Sequence, residues 1–197
     1  MLARHNGMVD GWQPASDGAG PLLQRDYWAV LSGGALSPPD VIAAVKAHFC
    51  ELPPDALVRF DAPDGLSTDA ELDIRIRPAQ SCRVRVVHQD RNSITLGTLE
   101  GHPEAGRITF GAYRNTDGEV VFHIRSRARS SSTATRLGFL AIGDAMQTNT
   151  WTDFINNTAV LVGSQVRDAI RADVEEVQEQ PDDGPPLQAP TYVAAGD

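Results

Sequence analysis

Apolar and polar residues alternate through the middle of the chain and predict a series of short strands. In "ELDIRIR" (71–77), Leu72, Ile74 and Ile76 share one face, with charged residues on the other. Turn residues such as the Asp-Gly of "NTDG" (115–118) separate these segments. We predict strands over 26–34, 56–60, 71–77, 82–88, 93–99, 107–113 and 119–128. Consecutive strands joined by turns indicate an antiparallel sheet.

Two segments have the period of a helix. Residues 37–52 begin with Ser37, a good N-cap, and continue with two prolines and an aspartate that suit a first turn. A second helical pattern runs from about Thr135 to Val177, where apolar residues recur on one side. The pattern allows either one helix or two, with a break near "QTNTWTD" (147–153).

The order of these elements predicts the architecture. A curved antiparallel sheet with one apolar face needs a cover, and a long amphipathic helix can supply it. The expected class is therefore α+β with the helix-grip fold, in which the sheet wraps around a long C-terminal helix and leaves an internal cavity. We expect a flexible leader over 1–24, a single domain over 25–178 and a disordered, acidic, proline-rich tail over 179–197.

Composition narrows the possible partners. The 197 residues carry a net charge of -9, which argues against a nucleic acid or an anionic membrane surface as the partner. Lys46 is the only lysine among 17 basic residues, a bias typical of a GC-rich bacterial genome. The chain starts without an apolar signal segment, and its two cysteines lack metal-ligand spacing. We expect a cytoplasmic bacterial protein with reduced thiols.

Polar residues on apolar faces are the first candidates for chemistry, because an unpaired polar group is costly to bury. Asp144 lies on the inner stripe of the second helical segment, and His88 shares a strand face with Val84 and Val86. A carboxyl group in an apolar cavity can act as acid or base near neutral pH, and a neutral imidazole can relay protons. Alternatively, each group has a structural partner.

The loop in "TLEGHPEAGRITF" (98–110) places His102 and Glu104 two residues apart in a short turn bounded by glycines. If the loop overhangs the cavity, the two side chains form an acid/base pair. Otherwise they bond to the loop backbone and only shape a tight turn.

Further residues are candidates for binding. Phe110, Phe122, Thr148 and Trp151 would line the cavity, where aromatic rings stack on a flat ligand, or would belong to a plain core. Basic residues share the opposite face of the sheet: Arg75, Arg77, Arg83, Arg85, His123, Arg125, Arg127 and Arg129. One interpretation is a solvated face whose positive charges are balanced by acidic neighbours. The other is a binding surface for an acidic carrier protein, or for a phosphate or carboxylate of the substrate.

The sequence has no nucleotide-binding loop, metal-ligand constellation or nucleophile elbow. We therefore expect chemistry without a cofactor or metal, such as proton transfer in a shaped pocket.

From Cys82 to about Gln147 the chain resembles the domain-of-unknown-function family numbered nineteen-ninety. The residues that carry the resemblance are "CRVRVV", "GTLEGHPEAG", Phe110, "DGEVVFHIRSRAR" and Gln147, although Glu100 stands where the family has proline. That family is similar to the START-like superfamily of birch-pollen-allergen-like and polyketide-cyclase-like proteins. The resemblance implies an apolar, often polycyclic ligand in an enclosed cavity, but it supplies no catalytic residues.

Three hypotheses follow for function. The first is a polyketide-cyclase-like enzyme that folds a largely apolar intermediate and promotes cyclisation, dehydration or rearrangement in natural-product biosynthesis. The second is a carrier or sensor that holds a lipid-like ligand without catalysis. The third is an interaction module that works through the arginine-bearing face or the acidic tail.

Overall fold

An eight-stranded antiparallel sheet forms the frame of the protein. The computed structural model describes residues 11–33, 36–77, 80–132 and 143–178, with side chains from Met146 onward in the last of these ranges. The strands are β1 (Ala19–Ser32), β2 (Val58–Asp61), β3 (Glu71–Ile76), β4 (Gln80–Gln89), β5 (Ser93–Thr98), β6 (Glu104–Arg114), β7 (Val120–Ser130) and β8 (Gln165–Val177). They lie in the order β2-β3-β4-β5-β6-β7-β1-β8, so strands β2 to β7 form an uninterrupted meander.

The first helix, α1 (Pro38–His48), begins as the sequence predicts. The Ser37 hydroxyl accepts a hydrogen bond from the backbone N–H of Asp40, and prolines occupy the first turn. Val41, Ile42 and Val45 are buried against the sheet. Within the described ranges, no helix combines the length and the apolar character that a membrane span requires.

The second helix, α2 (Gly143–Leu161), ends before the predicted segment of 135–177 does, and residues 135–142 of that segment lie outside the described ranges. It runs unbroken through 147–153 and ends at Gly163, whose φ of 67° favours glycine. The N–H of Gly163 bonds to the carbonyl of Val160 at 3.0 Å, and the N–H of Ser164 bonds to that of Ala159 at 2.8 Å. This is a Schellman ending, so the chain leaves the helix and enters β8 instead of continuing as a helix.

Strand β8 adds an eighth strand to the edge of the sheet, beside β1. Most of its side chains are exposed on both faces, so it lacks the clean alternation that identifies a half-buried strand. Strand β1 also differs from expectation, because it begins at Ala19 instead of 26. Residues 19–24, expected in a flexible leader, therefore belong to the sheet, while the predicted tail over 179–197 lies outside the described residues.

The core lies between the sheet and the two helices. The predicted apolar faces of the central strands are buried as expected, and we call the face that they form the inner face. Phe49, which follows α1, packs edge-on against Phe110 of β6 and Phe60 of β2. Phe154 and Ile155 of α2 are fully buried against the same cluster. The predicted helix-grip arrangement is confirmed, with α2 as the gripped helix.

Residues 11–14, which we call the N-terminal strap, cross the end of β5. The backbone N–H of Gln13 bonds to the carbonyl of Thr98, and the carbonyl of Gln13 accepts bonds from the Thr98 hydroxyl and from the N–H of Gly106. Trp12 lies over Gly97, where a Cβ atom would come within 1.7 Å of the indole ring. The strap therefore fastens the turn between β5 and β6, and it needs glycine beneath the indole.

The contact between Trp12 and Gly97 gives a prediction for stability. Gly97→Ala should lower the free energy of unfolding by about 1–3 kcal/mol, because the indole must move out of its place. In the Trp12→Ala background the same substitution should cost little, since the clash is gone. Urea unfolding of the four proteins measures this coupling. An equal loss in both backgrounds would contradict the packing described.

Candidate functional site

A cavity of about 110 Å³ lies between the inner face of the sheet and α2. Most of its lining is apolar, and polar side chains gather around the turn between β5 and β6 and around α2. The lining residues are Val58, Phe60, Ile74, Ile76, Val84, Leu96, Thr98, His102, Pro103, Glu104, Arg107, Ile108, Ser126, Ala128, Met146, Gln147, Thr150 and Trp151.

The turn between β5 and β6 reaches the cavity. His102, Pro103 and Glu104 all belong to its wall, and Glu104 is the first residue of β6. The sequence left two interpretations of this loop, a tight turn or a loop over the cavity. Both apply, because the strap and the loop's own hydrogen bonds shape the turn while its side chains line the cavity.

The carboxylate of Glu104 is held by two partners inside the fold. Arg25 of β1 places Nη1 at 3.4 Å from Oε1, and Gln147 of α2 donates from Nε2 to Oε2 at 2.9 Å. Arg25 is almost completely buried, with 5% of its surface exposed. Such a charge needs a partner in the protein, and Glu104 provides it. The pair also fixes the direction of the carboxylate.

The ring of His102 has one nitrogen bonded to the loop backbone. Nδ1 accepts the hydrogen bond from the N–H of Glu104 at 3.0 Å. The carbonyl of Glu104 lies 2.9 Å from the same nitrogen, but it also accepts from Nε2 of Gln13 at 2.9 Å. Because a backbone N–H can only donate, we assign the ring hydrogen to Nε2. No hydrogen bond to Nε2 occurs within the described part of the chain.

Burial keeps His102 neutral. Desolvation lowers its pKa from the ordinary 6.5 to about 4, although the Glu104 carbonyl beside Nδ1 opposes this shift, because it would accept a hydrogen bond from the protonated ring. At neutral pH the side chain is therefore an uncharged imidazole. Such a ring is a poor proton donor in full transfer but a good hydrogen-bond donor to an oxygen that gains charge.

His88 does not line the cavity, contrary to the expectation from strand phase. Val86 lies opposite Leu96, but the next pair in the register is His88 with Thr95, so Val87 is an extra residue in β4. A bulge of one residue moves all later side chains to the other face. His88 is consequently on the face of Thr95, away from the cavity.

Asp144 lies in the first turn of α2. Its side chain lies outside the part of the chain that the structure describes, so its role stays a prediction.

The four predicted ligand-binding residues separate into two groups. Trp151 lines the cavity, with its ring 5.6 Å from that of Phe110. Phe110 and Phe122 are fully buried, and they pack on Phe154 in the solid core instead of lining the cavity. Thr148 is also absent from the cavity wall, and its hydroxyl lies 3.5 Å from that of Tyr27. The sequence places all four on the inner side, but only packing shows which reach the cavity.

Most of the basic residues on the outer face, the face of the sheet opposite the cavity, have partners in the protein. Arg83 and Arg85 both bond to Glu71, at 2.7 and 2.6 Å, and the Arg85 bond is the main cause of the lowered pKa of Glu71. Arg127 bonds to the amide oxygen of Gln24, and Arg129 to the carbonyl of Gly20. These contacts agree with a face whose positive charges are balanced by neighbouring residues, and they weaken the case for an acidic carrier protein as partner.

His123 on that face is fully buried beside Asp26. Its Nε2 lies 2.6 Å from Oδ1 of Asp26, and Nε of Arg125 lies at the same distance from that oxygen. Burial raises the pKa of Asp26, but the hydrogen bonds from His123 and Arg125 outweigh it, so the pKa is lowered overall. The cluster joins β1 to β7 on the side away from the cavity.

Cys82 is a buried thiol on β4. Burial, followed by the charge of Glu104, raises its pKa to about 12. The group is therefore protonated at neutral pH and unsuited to act as a nucleophile.

Sequence reasoning missed Ser126 as a cavity residue and Arg25 as the buried partner of Glu104. Arg25 continues the inward alternation of Tyr27 and Ala29, but it preceded the predicted start of the strand at 26. Ser126 continues the inward series of β7 past Ile124. Extending each apolar series by one step would have found both.

The low pKa of His102 gives a prediction for stability against pH. The unfolded chain binds a proton at this residue below pH 6.5, whereas the folded chain does so only near pH 4. Stability should therefore fall as the pH drops through this interval, by about 3 kcal/mol from this residue. His102→Asn, whose amide oxygen can replace Nδ1 as acceptor, should remove that part of the loss in urea titrations between pH 7 and 4.

The matched control is His48→Asn, which alters an exposed histidine of α1. This variant should keep the full pH dependence. If the two variants behave alike, the burial of His102 is not what sets its titration.

Comparison with solved structures supports the architecture. Norcoclaurine synthase from Thalictrum flavum matches 82% of this chain and 95% of its own, with 11% identity and a TM-score of 0.53. The di-domain ARO/CYC StfQ from the steffimycin biosynthetic pathway matches 76% of this chain, with 12% identity and a TM-score of 0.52. This chain spans about half of that protein, covering 52% of it. At such identities the likeness shows the START-like fold alone.

Comparison with sequences identifies the family. A search of curated proteins finds no match. The model of a domain of unknown function, DUF1990, matches residues 43–157, which include most of the gripped helix, the turn at His102 and the residues of the cavity wall. The match spans more than half of the chain and agrees with the resemblance found in the loop and the strands that flank it. The chain therefore belongs to the DUF1990 family.

Proposed function

We propose that the protein is a cofactor-free enzyme that binds a small, largely apolar molecule in its cavity and moves a proton on it. The observation that carries the proposal is the pairing of a fixed carboxylate, Glu104, with a neutral imidazole, His102, on one cavity wall. A base and a hydrogen-bond donor in a desolvated pocket are the two groups that proton abstraction next to a carbonyl requires.

In the proposed reaction Glu104 takes a proton from the carbon next to a substrate carbonyl. The electron pair of the broken C–H bond moves toward the carbonyl oxygen, which becomes enolate-like. The Nε2–H of His102 donates to that oxygen and stabilises its charge. The enolate can then attack a second carbonyl, whose new alkoxide takes the proton from Glu104, which gives cyclisation. It can instead expel a β-hydroxyl group, which leaves as water with that proton, or take the proton back at another carbon, giving dehydration or isomerisation respectively.

The volume of the cavity limits the substrate. At about 110 Å³ it is comparable with engineered cavities of roughly 150 Å³ that bind benzene. A one-ring molecule or a short chain therefore fits better than the polycyclic ligand that the superfamily suggests. Two proteins with the same fold are named as a synthase and as an ARO/CYC protein of a biosynthetic pathway, which supports a role in natural-product biosynthesis.

A second candidate is a carrier or sensor of a lipid-like ligand. The observation in its favour is that Glu104 already has two partners, Arg25 and Gln147, and that Nδ1 of His102 bonds to the backbone. Such contacts also occur where polar groups serve only to hold a loop. In this case the cavity binds its ligand and returns it unchanged.

Exchange of protons on a small ketone separates the two candidates. The wild-type protein should speed the incorporation of deuterium next to the carbonyl of cyclohexanone in D₂O, as followed by NMR. Glu104→Gln should remove the acceleration by at least about 100-fold, because the base is lost. His102→Asn should lower it by about 100-fold, and His102→Gln, which keeps a donor in the region of Nε2, should restore part of it.

The control is Glu100→Gln, which alters an exposed carboxylate in the same loop. It should exchange protons like the wild type. Cyclohexanone that binds, measured by chemical-shift changes, but exchanges no faster than in buffer would favour the carrier.

A further inference from the structure

One hydroxyl in the cavity wall has no hydrogen-bond partner among the described residues. Ser126 of β7 is 93% buried, and its Oγ makes no hydrogen bond in the part of the chain that the structure describes. Ser126 is also one of the residues that line the cavity. Buried hydroxyl groups are normally satisfied, and leaving one unpaired costs free energy. The position therefore calls for a partner that enters the cavity.

The neighbours of Ser126 explain why its hydroxyl is left over. In the sheet it lies between Arg25 of β1 and Ile108 of β6, on the inner face. Ile108 offers no polar atom, and the guanidinium of Arg25 is directed to Glu104. The Oγ atom forms no hydrogen bond with these neighbours, and Ser126 lines the cavity.

The cavity wall near Ser126 carries charges of both signs before any ligand enters. Arg25 and Glu104 neutralise each other, and Gln147 supplies a further donor to the carboxylate. An anionic ligand would meet the carboxylate of Glu104 in a desolvated space, and a cationic one would meet Arg107, which also lines the cavity. The wall thus favours a neutral ligand with one hydrogen-bonding oxygen.

We infer that the cavity selects a neutral one-ring molecule that carries a hydroxyl or carbonyl oxygen, and that Ser126 binds this oxygen. The inference rests on the proposed function, because it names the ligand class of the same cavity. It makes Ser126 a specificity-determining residue, which forms a hydrogen bond with the ligand oxygen and takes no part in moving the proton. The apolar wall around Leu96 and Trp151 receives the ring.

Matched pairs of probes test the inference. Phenol differs from toluene by a hydroxyl in place of a methyl group, and cyclohexanone differs from methylenecyclohexane by an oxygen in place of a CH₂ group. In calorimetric or NMR titrations the wild type should bind at least one oxygen-bearing probe roughly 3- to 10-fold more tightly than its partner, as one hydrogen bond allows. Ser126→Ala should reduce this preference, which the Nε2–H of His102 can maintain only in part, and leave the affinities for toluene and methylenecyclohexane unchanged.

Two controls accompany the titrations. Ser81→Ala, which alters an exposed serine of β4, should keep the preference. The urea midpoint of unliganded Ser126→Ala should equal or exceed that of the wild type, because the free protein loses no hydrogen bond. A clear fall in that midpoint would assign Ser126 a structural bond and overturn the inference.

The outcomes separate this inference from the proposed function. Toluene that binds as tightly as phenol, together with methylenecyclohexane that binds as tightly as cyclohexanone, would overturn the role of Ser126 and leave the cavity's function standing. Benzoate that binds more tightly than phenol would overturn the preference for a neutral ligand. If none of the probes binds, both the proposed function and the inference fail.

Discussion

The ion pair between Arg25 and Glu104 is the constraint on which the cavity depends. It places a cation and an anion on the inner face of a sheet that is otherwise apolar, and Arg25 is almost fully buried there. Removing one partner from such a pair generally costs about 3–5 kcal/mol, because the other charge remains without compensation. The pair and Gln147 together join β1, β6 and α2. The helix is therefore held to the sheet by polar contacts at the cavity and by apolar packing elsewhere.

The turn between β5 and β6 combines structural and chemical roles through separate atoms. Backbone atoms of the turn bond to Gln13 of the strap, and Nδ1 of His102 bonds to the backbone of Glu104. These contacts do not use Nε2 of the ring or the carboxylate of Glu104, and both residues line the cavity. A turn held this rigidly positions its side chains more precisely than a free loop would, which is what a proton-transfer site requires.

Much of the fold follows from the regular spacing of apolar residues in the sequence, because the inner faces of β3, β4 and β7 must be apolar to be buried. The same rule fails where the backbone departs from regular geometry. The extra residue Val87 reverses the phase of β4, so His88 could not be placed by counting from Val84. The Schellman ending at Gly163 separates a helix from a strand whose side chains are mostly exposed. An exposed strand shows little alternation of apolar and polar residues, so its sequence does not identify it as a strand.

The candidate site was predicted in part for the same reasons. The loop pointed to His102 and Glu104 through residue type and spacing, but whether they reach a cavity depends on contacts between distant segments. Arg25 and Glu104 are 79 residues apart, and the strap is 85 residues from Thr98. Phe110 and Trp151 have the same periodicity signal, yet packing puts one in the core and the other on the cavity wall. Such distinctions come from three-dimensional packing, which a single sequence does not specify.

The tautomer of His102 tests the account most directly, because the chemistry needs a neutral ring with its hydrogen on Nε2. Long-range proton–nitrogen NMR spectra of the imidazole report both the protonation state and the tautomer. The account predicts an Nε2–H tautomer at neutral pH that persists well below pH 6.5 and gains a proton only near pH 4. A ring protonated at pH 6, or one with its hydrogen on Nδ1, would contradict it.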